Sequence, residues 1–311
     1  YMEKSYYIQS QKGCEYMLPI QIDLPKNFLE EEIRCGYKIS SEMKKVWAVQ
    51  IDLLEQVKKI CKKHGLKYFA DSGTLIGAIR HKGYIPWDDD IDLVMMRNDY
   101  NKFMEYAKSE LEFPYFLQTV YTDKDIMRAH AQLRNSKTTG YMPYEKNRPY
   151  NKGIFIDIFP LDVIPEDPQL KKFSLKIKFK WKLLNNLVNY KYNKINIVSW
   201  AKHYLIVKPL TLWMDYKILY AKYERLCSQY NNSEFNRVSY IAYSHGKKKH
   251  IWNKEWFDSA KEVDFEFTKI NIPVGYNERL KTEYGDYMVI KNVPSSHGEL
   301  ILSSEKSYME E

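Results

Sequence analysis

The chain has 311 residues, is 44% hydrophobic, and carries 48 Lys and Arg against 40 Asp and Glu, a formal charge of +8. The hydrophobic content is enough for a core, and the length suits one elaborated domain or two small ones. The positive balance admits an anionic polymer or an anionic lipid surface as partner. No nucleic-acid motif accompanies it, so a nucleic-acid partner is not expected.

Four cysteines, Cys14, Cys35, Cys61 and Cys227, show no CxxC spacing. They read as reduced thiols rather than a structural zinc site. The sequence has no basic-then-apolar leader and no apolar run of about 18 residues, so a cytoplasmic protein is expected. Aromatics reach 15%, including 27 Tyr, a composition suited to flat or cationic ligands.

Residues 1–37 have weak periodicity and hold Pro19 and Pro25; they read as an arm with a short strand near Met17–Ile22. A core is expected over 38–165. It opens with a helix capped by Ser40 or Ser41, whose apolar Met43, Val46, Trp47, Leu53, Leu54, Val57 and Ile60 recur at helical spacing. Gly65 stops it, and His64 reads as a helix-end residue.

Tyr68-Phe69-Ala70 then reads as a strand, Asp71–Thr74 as a turn, and Leu75–Arg80 as a helix. Gly73 and Thr74 suit a phosphate cradle, because glycine permits close backbone approach and a helix N-terminus offers free N–H donors. Arg80 and Lys82 would neutralise phosphate oxygens. After a Gly-to-Pro loop comes Asp88-Asp89-Asp90-Ile91-Asp92-Leu93, read as a strand from Asp90. Alternation puts Asp90 and Asp92 on one face and Ile91 and Leu93 on the other. Paired carboxylates repel unless neutralised, and Mg²⁺ or Mn²⁺ does so while gripping substrate phosphates. The bland alternative is a solvated acidic loop; flanking Ile85, Trp87 and Ile91 argue against it. A calcium loop starting at Asp88 requires Gly and Glu where the chain has Leu93 and Asp99.

Asp99–Leu111 reads as a helix, and Phe113–Val120 and Met127–Leu133 as strands, with Asp123 and Asp125 in a turn between them. Arg134-Asn135-Ser136 follows directly on the second strand, where the bland alternative to a substrate contact is a simple polar turn, and 141–151 reads as a candidate mobile lid. Gly153–Phe159 is a clear strand, and its Asp157 shares a face with Phe155 and Phe159. An acid there is costly unless paired or metal-bound, which makes it the natural third carboxylate. Asp162, after Pro160, reads as a turn or cap residue.

Residues 166–250 form a basic, aromatic helical segment. Positions 170–226 hold 13 Lys and Arg against Asp215 and Glu224, a net of +11 that leaves the rest of the chain at −3. Interleaved Phe173, Leu175, Phe179, Trp181, Trp200 and Trp213 suggest contact with an anionic membrane or polymer; the alternative is a helical subdomain with solvated lysines. In 251–311, Val263–Phe267 and Ile270–Val274 read as a hairpin, Tyr276–Tyr284 as a helix, and His297 as a lone histidine.

Ser72–Leu93, SGTLIGAIRHKGYIPWDDDIDL, with Arg97 and Asp99-Tyr100, resembles the LicD family of phosphocholine transferases, a group that includes fukutin-type sugar phosphotransferases. Ser41–Trp47, RNSKTTGY (Arg134–Tyr141), GIFIDIFPLD (Gly153–Asp162) and YGDYM (Tyr284–Met288) resemble its other blocks, covering roughly residues 40–300. The resemblance implies an α+β fold: a nucleotidyltransferase-like mixed sheet with flanking helices, plus the basic helical insertion. It implies a CDP-choline donor and an anionic glycan precursor, of teichoic acid or lipopolysaccharide type, as acceptor. It also implies Arg134 and Ser136 at the substrate, and His81, Asp88 and Asp89 beside the donor. Asp90, Asp92 and Asp157 would be the catalytic, metal-binding set, with Asp157 either ligand or general base. Trp87 is a candidate aromatic wall for choline. The rivals are transfer of phosphoethanolamine, a sugar phosphate or a nucleotide on the same frame, and a non-catalytic glycan or membrane binder.

Overall fold

The computed structural model describes residues 6–9, 15–192, 197–211, 215–291 and 300–310. Cys14, Trp213 and His297 lie outside them. Two antiparallel hairpins occupy the arm: β1 (Tyr6–Gln9) with β2 (Glu15–Leu18), and β3 (Glu32–Arg34) with β4 (Tyr37–Ile39). The strand expected near Met17–Ile22 therefore begins and ends earlier, and Ile20 beyond it is buried in the main core.

Helix α1 (Ser41–His64) behaves as its sequence dictates. The Ser40 hydroxyl accepts the Met43 N–H at 3.2 Å, and Gly65 ends the helix at φ +64°. Its apolar stripe is buried against the sheet and the next long helix. Strand β5 (Phe69–Ala70) leads into α2 (Ser72–Arg80), then β6 (Asp92–Met96) and α3 (Arg97–Glu110). Helix α2 starts at Ser72 rather than Leu75, because the expected turn is its first turn. Ser72 stands at φ +49°, a conformation that L-residues adopt only at a cost. Likewise β6 starts at Asp92, with Asp90 just ahead of it.

Strands β7 (Tyr115–Gln118), β8 (Ala131–Asn135), β9 (Thr139–Tyr141) and β10 (Ile154–Ile164) follow. The strand expected at Met127–Leu133 is shifted toward the C-terminus and includes Arg134 and Asn135, which the sequence reading placed directly after it. Polar side chains tolerate a buried strand when every donor finds a partner, and here they do. Strand β10 also runs past Phe159. Asp162 is a fully buried strand residue, not a cap: the Arg97 guanidinium grips it through two bonds of 2.8 and 2.7 Å.

The insertion forms α4 (Gln169–Asn189), α5 (Ile197–Lys202), α6 (Lys208–Thr211) and α7 (Tyr216–Cys227), followed by β11 (Arg237–Ser239), α8 (Ile241–Ser244) and β12 (Trp252–Asn253). Leu170, Phe173, Ile177 and Leu184 of α4 bury against Tyr220, Tyr223 and Ile241 in a second core. Strands β13 (Ala260–Phe265) and β14 (Thr268–Pro273) make the C-terminal hairpin slightly earlier than expected. Helix α9 (Tyr276–Tyr284) matches expectation, and β15 (Ile301–Ser303) pairs with β9.

The central sheet is mixed. β10 pairs in parallel with β6, and β5 is antiparallel to β6. The other edge of β10 carries β8 along its first half and β11 along its last residues, both antiparallel. β7 extends β8 and β12 extends β11. With helices on its flanks, this is the α+β architecture the sequence implied.

A candidate active site between β6 and β10

Parallel pairing aligns Asp157 of β10 with Asp92 of β6, and the Asp157 N–H donates to the Ile91 carbonyl at 2.8 Å. The acidic loop before β6 is held from behind by α1. Trp47 Nε1 donates to the Asp88 carbonyl at 3.1 Å, and Gln50 Nε2 to the Asp89 carbonyl at 2.7 Å. Carboxylate oxygens of Asp90, Asp92 and Asp157 lie within 4.8 Å of one another, as do those of Asp88, Asp89 and Asp90. Asp90 therefore belongs to both groups.

The start of α2 closes onto this cluster. Asp71 N–H donates to the Asp92 carbonyl at 3.0 Å, and Thr74 Oγ1 accepts the Asp92 N–H at 2.9 Å. A methyl group on Gly73 would stand 2.5 Å from Asp88 Oδ2, so the helix start sits this close to the acid because position 73 has no side chain. Thr74 thus ties α2 to β6 through its hydroxyl.

The two central acids are treated differently. Burial, then the charges of Asp90, Asp157, Asp71 and Asp88, push the Asp92 carboxyl well above the usual carboxylate range. Burial also opposes ionisation of Asp157, but His130, Arg128 and Gln132 outweigh it and hold Asp157 below that range. His130 Nε2 lies 3.0 Å from Asp157 Oδ1, and Gln132 Nε2 donates to the same oxygen at 2.7 Å. Asp71 is buried beside a fully buried Arg279, 2.8 Å away, yet its Oδ1 has no hydrogen-bond partner among the described residues. The Asp90, Asp92 and Asp157 carboxylates make an all-oxygen donor set, chemically suited to a hard divalent cation.

The other expected site residues are spread out. Arg80 donates to the carbonyls of Tyr287 and Val289 and to His81, and the His81 ring lies beside Cys35. Burial, then Arg80, push the His81 imidazole down to about 4. Lys82 is exposed, at φ +55°. Half-buried Trp87 packs edge-on against Tyr37 at 5.9 Å. Ser136 Oγ accepts from Asn151, and Arg134 is fully buried, donating to Gln118, Gln132 and the carbonyls of Gly140 and Gly153. Arg134 therefore reaches the acids through Gln132. The 141–151 loop is anchored by buried Glu145, which accepts from Arg128, Tyr150 and the Met142 N–H.

Sequence reasoning missed His130, Gln132, Asp71 and Arg279. Asp71 could have been found, since it borders the glycine turn. Arg279 sits in an ordinary polar helix and His130 in a bend before β8; neither carries a local signal.

Residues 65–199 match the family described as LicD/FKTN/FKRP, nucleotidyltransferase domain. The chain is 28% identical over 253 residues to the lipopolysaccharide cholinephosphotransferase LicD of Haemophilus influenzae, covering 77% of this chain and 89% of that protein. An uncharacterized protein of Rickettsia prowazekii is 31% identical over 114 residues, 37% of this chain and 39% of its own length. All of the clustered acids, Asp71 and His130 fall inside the matched residues, so the candidate site lies within the segment that carries the LicD/FKTN/FKRP nucleotidyltransferase-domain similarity.

Proposed function

We propose that the protein transfers phosphocholine from CDP-choline to a sugar hydroxyl of a cell-surface glycan, of lipopolysaccharide or teichoic acid type, with Mg²⁺ or Mn²⁺ as cofactor. The observation that supports phosphoryl transfer is the three-carboxylate cluster of Asp90, Asp92 and Asp157 at the start of α2. The choline group and the glycan rest on the similarity to the H. influenzae cholinephosphotransferase.

Asp90, Asp92 and Asp157 would hold the cation. When bound, it supplies Lewis-acid stabilisation of charge on the leaving phosphate. The first-turn N–H groups of α2, where Gly73 adds no side chain of its own, would bind phosphate oxygens. Asp157, its pKa lowered by the neighbouring His130, would either share the cation or accept the proton of the acceptor hydroxyl on its own carboxylate. Gln132 and Arg128 hold Asp157 in place.

We further propose that the protein works at the cytoplasmic face of a membrane, in peripheral contact with anionic lipid. Among the described residues no helix is long and apolar enough to cross a membrane. Helix α4, however, exposes Leu175 and Phe179 among Lys172, Lys176 and Lys180, and Ile197, Trp200 and Leu205 of the following segment are exposed as well.

Product analysis with CDP-choline labelled in the choline, run against a panel of glycan acceptors, tests the reaction. Label in the glycan, dependent on a divalent cation, is the expected result. Transfer only from CDP-ethanolamine or a sugar nucleotide would replace the donor. Glycan binding without transfer from any donor would leave the binding-protein reading.

A further inference from the structure

The face of β10 that carries Asp157 also carries Phe159, two residues on. His130 links them: its Nε2 is 3.0 Å from Asp157 Oδ1, and its ring centroid is 4.1 Å from that of Phe159. Tyr243 of α8 stands edge-on to Phe159 at 5.4 Å and lies 6.1 Å from His130. Tyr240 completes the group, 5.7 Å from both Phe159 and Tyr243.

The two tyrosines differ in exposure. Tyr240 is buried and fixed by a 2.7 Å bond between its hydroxyl and His250 Nδ1, and by edge contact with Trp252. Tyr243 keeps 54% of its surface open. Burial, then the charges of Asp92, Asp157 and Glu283, raise its phenol above the ordinary value, so the ring is neutral and within the field of the acids.

We propose that Tyr243, seated on Phe159 and Tyr240, is the aromatic wall that receives the quaternary ammonium of the donor and sets its preference for choline. This rests on the phosphocholine reading above. A trimethylammonium group has no N–H to donate, so carboxylates attract it only through space. Contact selectivity must come from π faces, which attract a desolvated cation. A primary ammonium gains more from direct hydrogen bonds to carboxylates and less from a ring. The position fits the chemistry: choline places its cation one ethylene unit from the phosphate, and Tyr243 stands one ring away from the residue that abuts Asp157. Trp87 is a weaker choice, being half-buried against Tyr37 in a separate aromatic pair.

The test measures CDP-choline and CDP-ethanolamine affinity by calorimetry for the wild type, Tyr243→Phe and Tyr243→Leu. The phenylalanine variant should match the wild type. The leucine variant, similar in apolar bulk, should weaken CDP-choline by about 5–30-fold and CDP-ethanolamine by less than about twofold. Equal weakening of both ligands, or none, overturns the assignment. Independently of folding in the variants, the N-methyl protons of CDP-choline bound to the wild type should shift upfield from ring current; unshifted methyls also overturn it. A wild type that binds CDP-ethanolamine but not CDP-choline refutes the phosphocholine reading itself, and this inference with it.

Discussion

Asp92 and Asp157 are register partners in a parallel strand pair, so their carboxylates leave the sheet on the same face. His130, Arg128 and Gln132 all attend Asp157, whereas the charges acting on Asp92 are further acids. The pair is therefore split: Asp157 is held ionised, and Asp92 resists ionisation in the absence of added positive charge. Divergent acid environments of this kind mark groups with distinct chemical tasks.

Asp90→Asn and Asp92→Asn should each lower turnover by about 10³-fold, with circular dichroism unchanged. Excess EDTA should do the same to the wild type, and added Mg²⁺ or Mn²⁺ should restore it. Full activity in EDTA would remove the metal from the mechanism.

Asp157→Asn should abolish chemistry while leaving much of the CDP-choline affinity, because Asp90, Asp92 and the start of α2 remain. His130→Gln, which removes the imidazole beside Asp157 Oδ1, should cost about 10–100-fold in kcat and little in KM. A His130 variant with unchanged kcat and an unchanged pH profile would remove that histidine from the site.

Arg134 should matter for stability more than for direct substrate contact. Its guanidinium is enclosed and bonded to Gln118, Gln132 and two carbonyls. Arg134→Met should cost about 1–3 kcal/mol in urea unfolding, the usual penalty for leaving buried acceptors unsatisfied. An unchanged urea midpoint with a raised donor KM would instead favour a direct phosphate contact.

Membrane contact through α4 has a separable signature. Flotation with anionic vesicles should succeed at low salt and fall at high salt, since each Lys near the surface contributes about 1 kcal/mol and is screened. Leu175→Ser with Phe179→Ser should weaken it without changing turnover on a soluble acceptor. Equal, salt-independent flotation with neutral and anionic vesicles would favour solvated lysines.

Asp52 predicts a pH dependence of stability. It is buried in α1, accepts from the Gln21 N–H at 2.9 Å and the Tyr115 hydroxyl at 2.7 Å, and burial raises its pKa from 3.8 to about 6. An acid whose folded pKa exceeds its unfolded value binds its proton more tightly when folded. Its contribution is fully present below pH 3.8 and is lost as pH rises through about 6. The loss is about 3 kcal/mol. Relative to Asp52→Asn, the wild type should lose stability by about that amount between pH 4 and pH 7 in urea titrations. Parallel curves for the two proteins would show that Asp52 titrates normally.

Local pattern was sufficient for much of this molecule. The Ser40 cap, the α1 stripe and the Gly65 stop were legible because they depend on neighbours three or four residues away. The pairing of glycine turn and acids was legible because both lie in one stretch, Ser72–Leu93. Asp157 was singled out by the cost of an acid in an apolar strand. What the sequence could not decide was which groups attend those acids. His130, Gln132, Arg279 and Tyr243 reach the site from a bend, a strand, a C-terminal helix and the end of the insertion, and none shows a local periodic signal. Asp162 was misread for the same reason, and Arg134 proved to lie in a strand rather than in a turn. A buried charge looks like a turn residue until its partner is known, and Arg97 and Gln132 become partners only when β6, β8 and β10 are laid side by side. Backbone pairing across long stretches of chain set those distances, and through them which carboxylate stays ionised.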